Sequence, residues 1–227
     1  MMTTLIACSH GTDSPVGRST VAEIVDLVRA RLPETRVVEA FVDVQEPTVH
    51  DVVERERHDD EVVVVPLLLS AGFHTAVDIT DAVSPHANVR QTEPLGTHPL
   101  IADLLLSRLL EVVDGGWQEG DHVVLAAAGS RNPASAVDVA RTAEALARLM
   151  PVPLTVGYAS AIDPRISAAV ADARRSGARR VIAASHVLAP GFFAGLVERA
   201  GADLTSAPLG ADARVADVIV DRFRGSA

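Results

Sequence analysis

Residues 5–15 read "LIACSHGTDSP" and residues 123–133 read "VVLAAAGSRNP". Both pass from small and aliphatic residues through a glycine into a polar turn that closes on proline. One such likeness is easily chance, so the test is whether it continues. "AFVDVQEP" (40–47) matches "GYASAIDP" (157–164), and "VVVVPLLLSAGFHTAVDI" (62–79) matches "VIAASHVLAPGFFAGLVE" (181–198). "PLGTHPLIADLLLSRL" (94–109) matches "PLGADARVADVIVDRF" (208–223). The offsets are 118, 117, 119 and 114, and the four blocks keep their order. Four blocks in register make the chain a tandem repeat. The copies are 1–113 and 121–227, and the Gly-rich polar stretch 114–120 reads as the linker.

Within a copy the pattern alternates between strand and helix. Residues 3–8 and 61–69 are unbroken β-branched and aliphatic runs, the signature of strands buried on both faces of a parallel sheet. A third strand is expected from 36 to about 43 and a short fourth at 88–92. Between them, Val21, Ile24, Val25 and Val28 share one face at helical spacing. Pro47 is placed at a second helix start, where a missing N–H costs nothing. "HPLIADLLLSRLLEVV" (98–113) closes the copy as a helix. The expected fold class is α/β: two tandem βαβα-type copies, each a parallel sheet with helices on both faces, and a cleft between them. Ligands of such sheets bind at the carboxyl ends of the strands.

Composition excludes several functions. The chain has 227 residues, 48% apolar and 22% charged, so it is globular rather than disordered. Its net charge of -10 argues against a nucleic-acid partner. The acid is concentrated in residues 1–115, at -11, whereas residues 116–227 stand at +1. Lysine is absent, which removes a Schiff-base lysine and a Walker-type phosphate lysine. The single cysteine, Cys8, allows no internal disulfide and points to a reducing compartment. No signal peptide is visible, and the longest apolar run, "VVVVPLLL", is too short to span a bilayer. A cytoplasmic protein without a membrane partner is expected.

The eight histidines divide by position. His50 and His58 lie on polar surface patterns, His86 and His122 flank loops, His98 opens a helix, and His186 sits in an apolar strand as a satisfied core residue. His10 and His74 each follow a buried strand beside a glycine, in "SHG" and "AGFH". Copy two serves as an internal control. Its glycines persist as Gly129 and Gly191, while His10 and His74 are replaced together by Ala128 and Phe193. Paired loss is what joint members of one site would show. Two neutral imidazoles without thiolates suit borderline divalent metals and accept protons near neutral pH. Asp43 and Glu46 follow strand two and offer a third ligand, although Glu46 has an acidic counterpart in Asp163. An imidazole titrating near ~6.5 must be neutral to bind metal, so activity should fall in acid and be partly rescued by more metal.

At these residues the first copy resembles the CbiX/SirB family of sirohydrochlorin chelatases, the ATP-independent class II type. The matching elements are Ser9-His10-Gly11-Thr12, Glu46-Pro47-Thr48, "VVVVPLLLSAGFH" from Val62 to His74, and "PLGTHPL" from Pro94 to Leu100. The resemblance covers about 1–112 closely and 121–224 as a degenerate second copy. It implies a lyase that inserts Fe²⁺ or Co²⁺ into sirohydrochlorin for siroheme or cobalamin, with the metal as substrate and no nucleotide. His10 and His74 would hold the metal and take up pyrrole protons. Ser9, Gly11, Glu46, Phe73 and Arg131 are candidates for substrate binding; Arg165, Phe192 and Phe193 are weaker ones. The family has Gly where Ser9 stands, and "TDSP" departs from its "SRDP". No C-terminal cysteine cluster suggests an iron–sulfur centre.

Other readings fit less well. A histidine phosphatase needs Arg before its histidine, where this chain has Ser9, and an α/β-hydrolase needs G-x-S-x-G, which is absent. The alternative is a non-catalytic metal or tetrapyrrole carrier with the same histidines.

Overall fold

The computed structural model describes residues 3–72 and 75–225. Copy one holds β1 (Thr3–Ser9), α1 (Pro15–Arg31), β2 (Arg36–Phe41), α2 (Val49–Glu56), β3 (Glu61–Pro66), α3 (Thr80–Val83) entered by a π-turn at Thr75–Ile79, β4 (Val89–Gln91) and α4 (Pro99–Leu110). Copy two holds β5 (Asp121–Ala127), α5 (Pro133–Ala147), β6 (Leu154–Tyr158), α6 (Ile166–Arg175), β7 (Arg180–His186), α7 (Phe192–Glu198), β8 (Leu204–Thr205) and α8 (Ala213–Arg224). The sheets are four-stranded and parallel, in the orders β2-β1-β3-β4 and β6-β5-β7-β8. The expected α/β class and both sheets are present.

Helix starts follow local chemistry. Ser14 caps α1 by accepting the Gly17 amide, and Asn132 caps α5 by accepting the Ala134 amide, each with proline next in sequence. Pro47 is a correction. It does not open α2; Thr48 is the cap, its hydroxyl accepting the Asp51 amide, and the helix begins at Val49. The Pro47 carbonyl instead accepts the Phe41 amide, and the Glu46–Pro47 peptide is cis, as is Asp163–Pro164. The run expected to be strand as far as 69 leaves the strand after Pro66, which has no N–H to donate to a ladder.

Each sheet buries aliphatic residues on both faces. On one face of the first sheet, Ile6, Cys8, Val62 and Val64 pack with Val49, Val52 and Val53 of α2 and with Ile79, Ala82 and Val83. In the second sheet, Val124, Ala126, Val181 and Ala183 pack with Ile166, Ala169, Val170 and Ala173 of α6 and with Val197 of α7. No helix among the described residues is long and apolar enough to cross a membrane.

The compact units are not the sequence copies. One unit comprises Met1–Gly96 with Ala211–Ala227, and the other Thr97–Gly210. The terminal helices are exchanged: α8 packs on α1 and β3, and α4 packs on α5 and β7. Val215, Val218, Ile219 and Val220 of α8 are buried in the first unit, where Arg31 also donates to Asp217 at 2.6 Å. In the second unit, α4 buries Ile101, Leu104, Leu105 and Leu109, and Arg108 donates to the Leu209 carbonyl at 2.8 Å. The expected boundaries of 1–113 and 121–227 follow the repeat, whereas packing divides the chain at 96/97 and 210/211.

Candidate functional site

β1 is a central strand of its sheet, and its carboxyl end delivers Ser9, His10 and Gly11 into the turn before α1. The turn is held against the end of β2: Val42 donates to the Ser9 carbonyl at 3.0 Å and Asp43 to the His10 carbonyl at 3.1 Å. Gly11 has φ +88°, and a Cβ there would stand 2.1 Å from the Asp43 carbonyl oxygen. Only glycine fits such a backbone and such a contact. The half-buried His10 ring places Nδ1 3.3 Å from the Gly11 carbonyl.

Copy two builds the same turn without the histidine. Ala159 donates to Ala127 at 2.8 Å and Ser160 to Ala128 at 2.9 Å. Gly129 has φ +84°, and a Cβ there would meet the Ser160 carbonyl oxygen at 2.2 Å. Val44 and Ala161 both take positive φ, at 64° and 67°. The backbone therefore takes the same form with His10 or with Ala128 at the position.

The other candidates are placed as follows. Phe73 and His74 lie outside the described residues. Glu46 is exposed and accepts the Thr48 amide through Oε2 at 3.1 Å; Asp43 accepts the Val44 amide at 2.8 Å. Among the described residues no group of three or more His, Cys, Asp or Glu side chains is arranged to hold a metal ion. Ser9 is 4% exposed, and its Oγ has no hydrogen-bond partner among the described residues. Buried beside it in sequence, the Cys8 thiol is pushed up to about 12 by burial and by the negative charge of Asp78, so it is not a thiolate ligand. Arg131 is exposed in the β5–α5 turn, and Arg165 makes an ion pair with Asp163 at 3.6 Å. Phe192 is 71% exposed and meets Phe193 edge-on, with ring centroids 5.4 Å apart.

His50 and His58 are exposed, His86 contacts Glu54 at 2.9 Å, His122 contacts Thr155 at 3.0 Å, and His98 caps α4 by accepting the Leu100 amide. His186 differs from its reading. It is buried in β7, but its Nε2 has no hydrogen-bond partner among the described residues, so the expected satisfied core residue is not what they show. Sequence inspection also passed over Gln45, whose Oε1 accepts the Thr12 amide at 2.9 Å. The only available signal was its replacement by Ile162 in copy two.

The family model for CbiX matches residues 4–112 and again residues 122–226. A sirohydrochlorin cobaltochelatase of Methanopyrus kandleri is 27% identical over 140 residues, covering 49% of this chain and 98% of that protein. Among solved structures, SirB from Bacillus subtilis with Fe³⁺ superposes with a TM-score of 0.82 at 20% identity, over 100% of this chain and 96% of that one. The sirohydrochlorin chelatase SirB from Bacillus subtilis subspecies spizizenii in complex with cobalt gives 0.80 at 19% identity, with the same coverage. These structural matches show the fold. The family match spans both copies, in the order and register of the internal repeat, and the chain belongs to the CbiX family.

Proposed function

We propose that this protein is a sirohydrochlorin chelatase, a lyase inserting Fe²⁺ or Co²⁺ into the macrocycle during siroheme or cobalamin formation. The observation that carries the reading is His10, held at the carboxyl end of a central strand in a turn that copy two closes with alanine. Membership of the CbiX family and likeness to a named cobaltochelatase support it.

In this reading the metal is a substrate. His10 and His74 hold it as neutral ligands and accept the two pyrrole protons that leave as the dication enters, so charge balances without a redox step or a nucleotide. Glu46 adds a carboxylate beside the path. Gly11 and Phe73 border the macrocycle, while Ser9 is too buried to reach it. Arg131 receives a peripheral carboxylate, as a planar guanidinium does well. The reaction takes place in the cytoplasm, with no nucleic acid or membrane involved.

The test is to mix sirohydrochlorin with Co²⁺ or Fe²⁺ and follow the absorption spectrum at substoichiometric protein. Multiple turnovers support the enzyme. A single stoichiometric uptake would replace it with a carrier.

A further inference from the structure

The turn following the first strand is chemically inverted between the copies. In copy one the Thr12 amide is capped by Gln45 Oε1 at 2.9 Å, and the next residue is Asp13, whose carboxylate is 93% exposed and 3.7 Å from Arg18. An anion meets acceptors and negative charge there. In copy two the same positions are Ser130 and Arg131, and Ile162 replaces Gln45. The Ser130 amide has no acceptor among the described residues, and Arg131 makes neither an ion pair nor a side-chain hydrogen bond with them. The turn leads into α5, a helix of 15 residues whose N-terminal end favours negative charge.

A second observation comes from the neighbouring strand. His186 ends β7 and pairs in register with Ala127 of β5, two residues before Gly129. Side chains alternate along a strand. Val181 and Ala183 face α6 and α7, so His186 shares the opposite face with Ile182 and Ala184, toward the layer of α4 and α5. It is 2% exposed, and Nε2 is without a hydrogen-bond partner among the described residues. Buried polar atoms are nearly always hydrogen-bonded, so an empty one at the carboxyl end of a parallel sheet marks where a ligand atom belongs. Copy one has Leu67 at this position.

We infer that the β5–α5 turn of copy two, with His186 beneath it, is a carboxylate-binding site in which Arg131, the Ser130 amide and His186 Nε2–H share the ligand oxygens. Burial lowers the His186 pKa to about 4, so near neutral pH the ring is uncharged and can present an N–H donor. Resting on the chelatase reading, the occupant is a rim carboxylate of the macrocycle; the site itself requires only a carboxylate.

The experiment uses the full chain. Succinate and, separately, inorganic phosphate are titrated while the melting temperature is recorded, and KM for sirohydrochlorin is measured with Co²⁺ saturating. Succinate should raise the melting temperature saturably. Arg131→Ala and His186→Leu should each weaken that response at least fivefold and raise KM by a similar factor, with kcat within twofold. His186→Gln, which keeps an N–H donor, should retain most of the binding and guards against a folding defect in the leucine variant. A saturable succinate response lost in both variants, in a protein that inserts no metal, would keep the site and remove the chelatase reading. Normal turnover with no succinate response, a response unchanged in both variants, or tighter binding of phosphate than of succinate would overturn the inference.

Discussion

The two turns that follow β1 and β5 share a backbone and differ in chemistry. Both place a glycine at positive φ against a carbonyl of the next strand's loop, and both are tied by the same pair of amide–carbonyl bonds. What the backbone demands has been kept twice. What chemistry demands has diverged, with His10 opposite Ala128, Asp13 opposite Arg131 and Gln45 opposite Ile162. A duplicated scaffold thus separates structural from functional residues without any alignment of relatives. Identity across the copies marks the scaffold, and divergence on an unchanged scaffold marks the tasks.

The largest effect is expected from cutting between the sequence copies. Residues 1–113 lack α8 and retain α4 without the sheet on which it packs. Four aliphatic side chains of α8 are buried in the first unit. At ~1.5–3 kcal/mol each their gross contribution is on the order of 6–12 kcal/mol, comparable to the net stability of a whole domain. The fragment should not fold as a monomer. It should dimerise by lending α4 to its twin, with a melting temperature that rises with concentration. A folded, concentration-independent monomer in sedimentation and circular dichroism would show that the exchange is dispensable.

His10→Ala installs the residue of copy two on an unchanged turn. Metal insertion should fall at least about a hundredfold, the scale for losing a group that acts by proton transfer. The melting temperature should stay within about 2 °C, because truncation of a half-buried side chain away from the core changes stability little. Wild-type turnover in this variant would remove His10 from the mechanism.

Gly11→Ala and Gly129→Ala probe the shared feature. Each places a Cβ about 2 Å from a carbonyl oxygen at positive φ, as the values of 2.1 and 2.2 Å show. Each should cost ~2 kcal/mol or more, read as denaturant midpoints shifted by similar amounts. Unequal shifts would break the equivalence of the turns.

Glu46→Gln keeps an oxygen for the Thr48 amide and removes only the charge. A roughly tenfold loss of kcat/KM for the metal with stability unchanged is expected if the carboxylate assists entry, the size of a charge interaction near 1.4 kcal/mol. Unchanged kinetics would assign Glu46 to the turn alone, the role that its counterpart Asp163 suggests.

The last comparison is a pH slope. His186 is held neutral in the fold, with a pKa lowered by burial to about 4. An unfolded histidine titrates near ~6.5, so between these values the unfolded state binds more protons and stability falls as pH decreases. The loss begins near pH 6.5, is complete near pH 4, and reaches at most about 3 kcal/mol. His186→Leu should flatten this limb and also remove the cost of an unpartnered buried nitrogen, about 1–3 kcal/mol. Urea midpoints at pH 7 and pH 5 measure both. An equal acid slope in the variant would place the titration elsewhere.

Much was legible from local signals. The repeat, the strand–helix alternation, the buried aliphatic runs and the turn glycines are short-range patterns, and each carries its own physical cause. His10 stood out because a strand, a histidine and a glycine are consecutive in sequence. The carboxyl-end position of the turn followed from parallel topology, since βαβ connections leave no other arrangement. Pro47 was misplaced because a proline before a helix looks the same whether it occupies the first turn or, as here, offers its carbonyl to the neighbouring strand.

Two matters were decided only by tertiary structure. The terminal helices α4 and α8 both bury aliphatic side chains and are aligned with each other in the repeat, so nothing within either helix says which sheet it will cover; packing assigns each to the sheet of the other copy. The hydrogen-bonding state of His186 was equally hidden. An apolar strand predicts burial of every member, and His186 is buried. Whether a buried nitrogen finds a partner depends on atoms supplied by distant elements, and among the described residues none reaches Nε2.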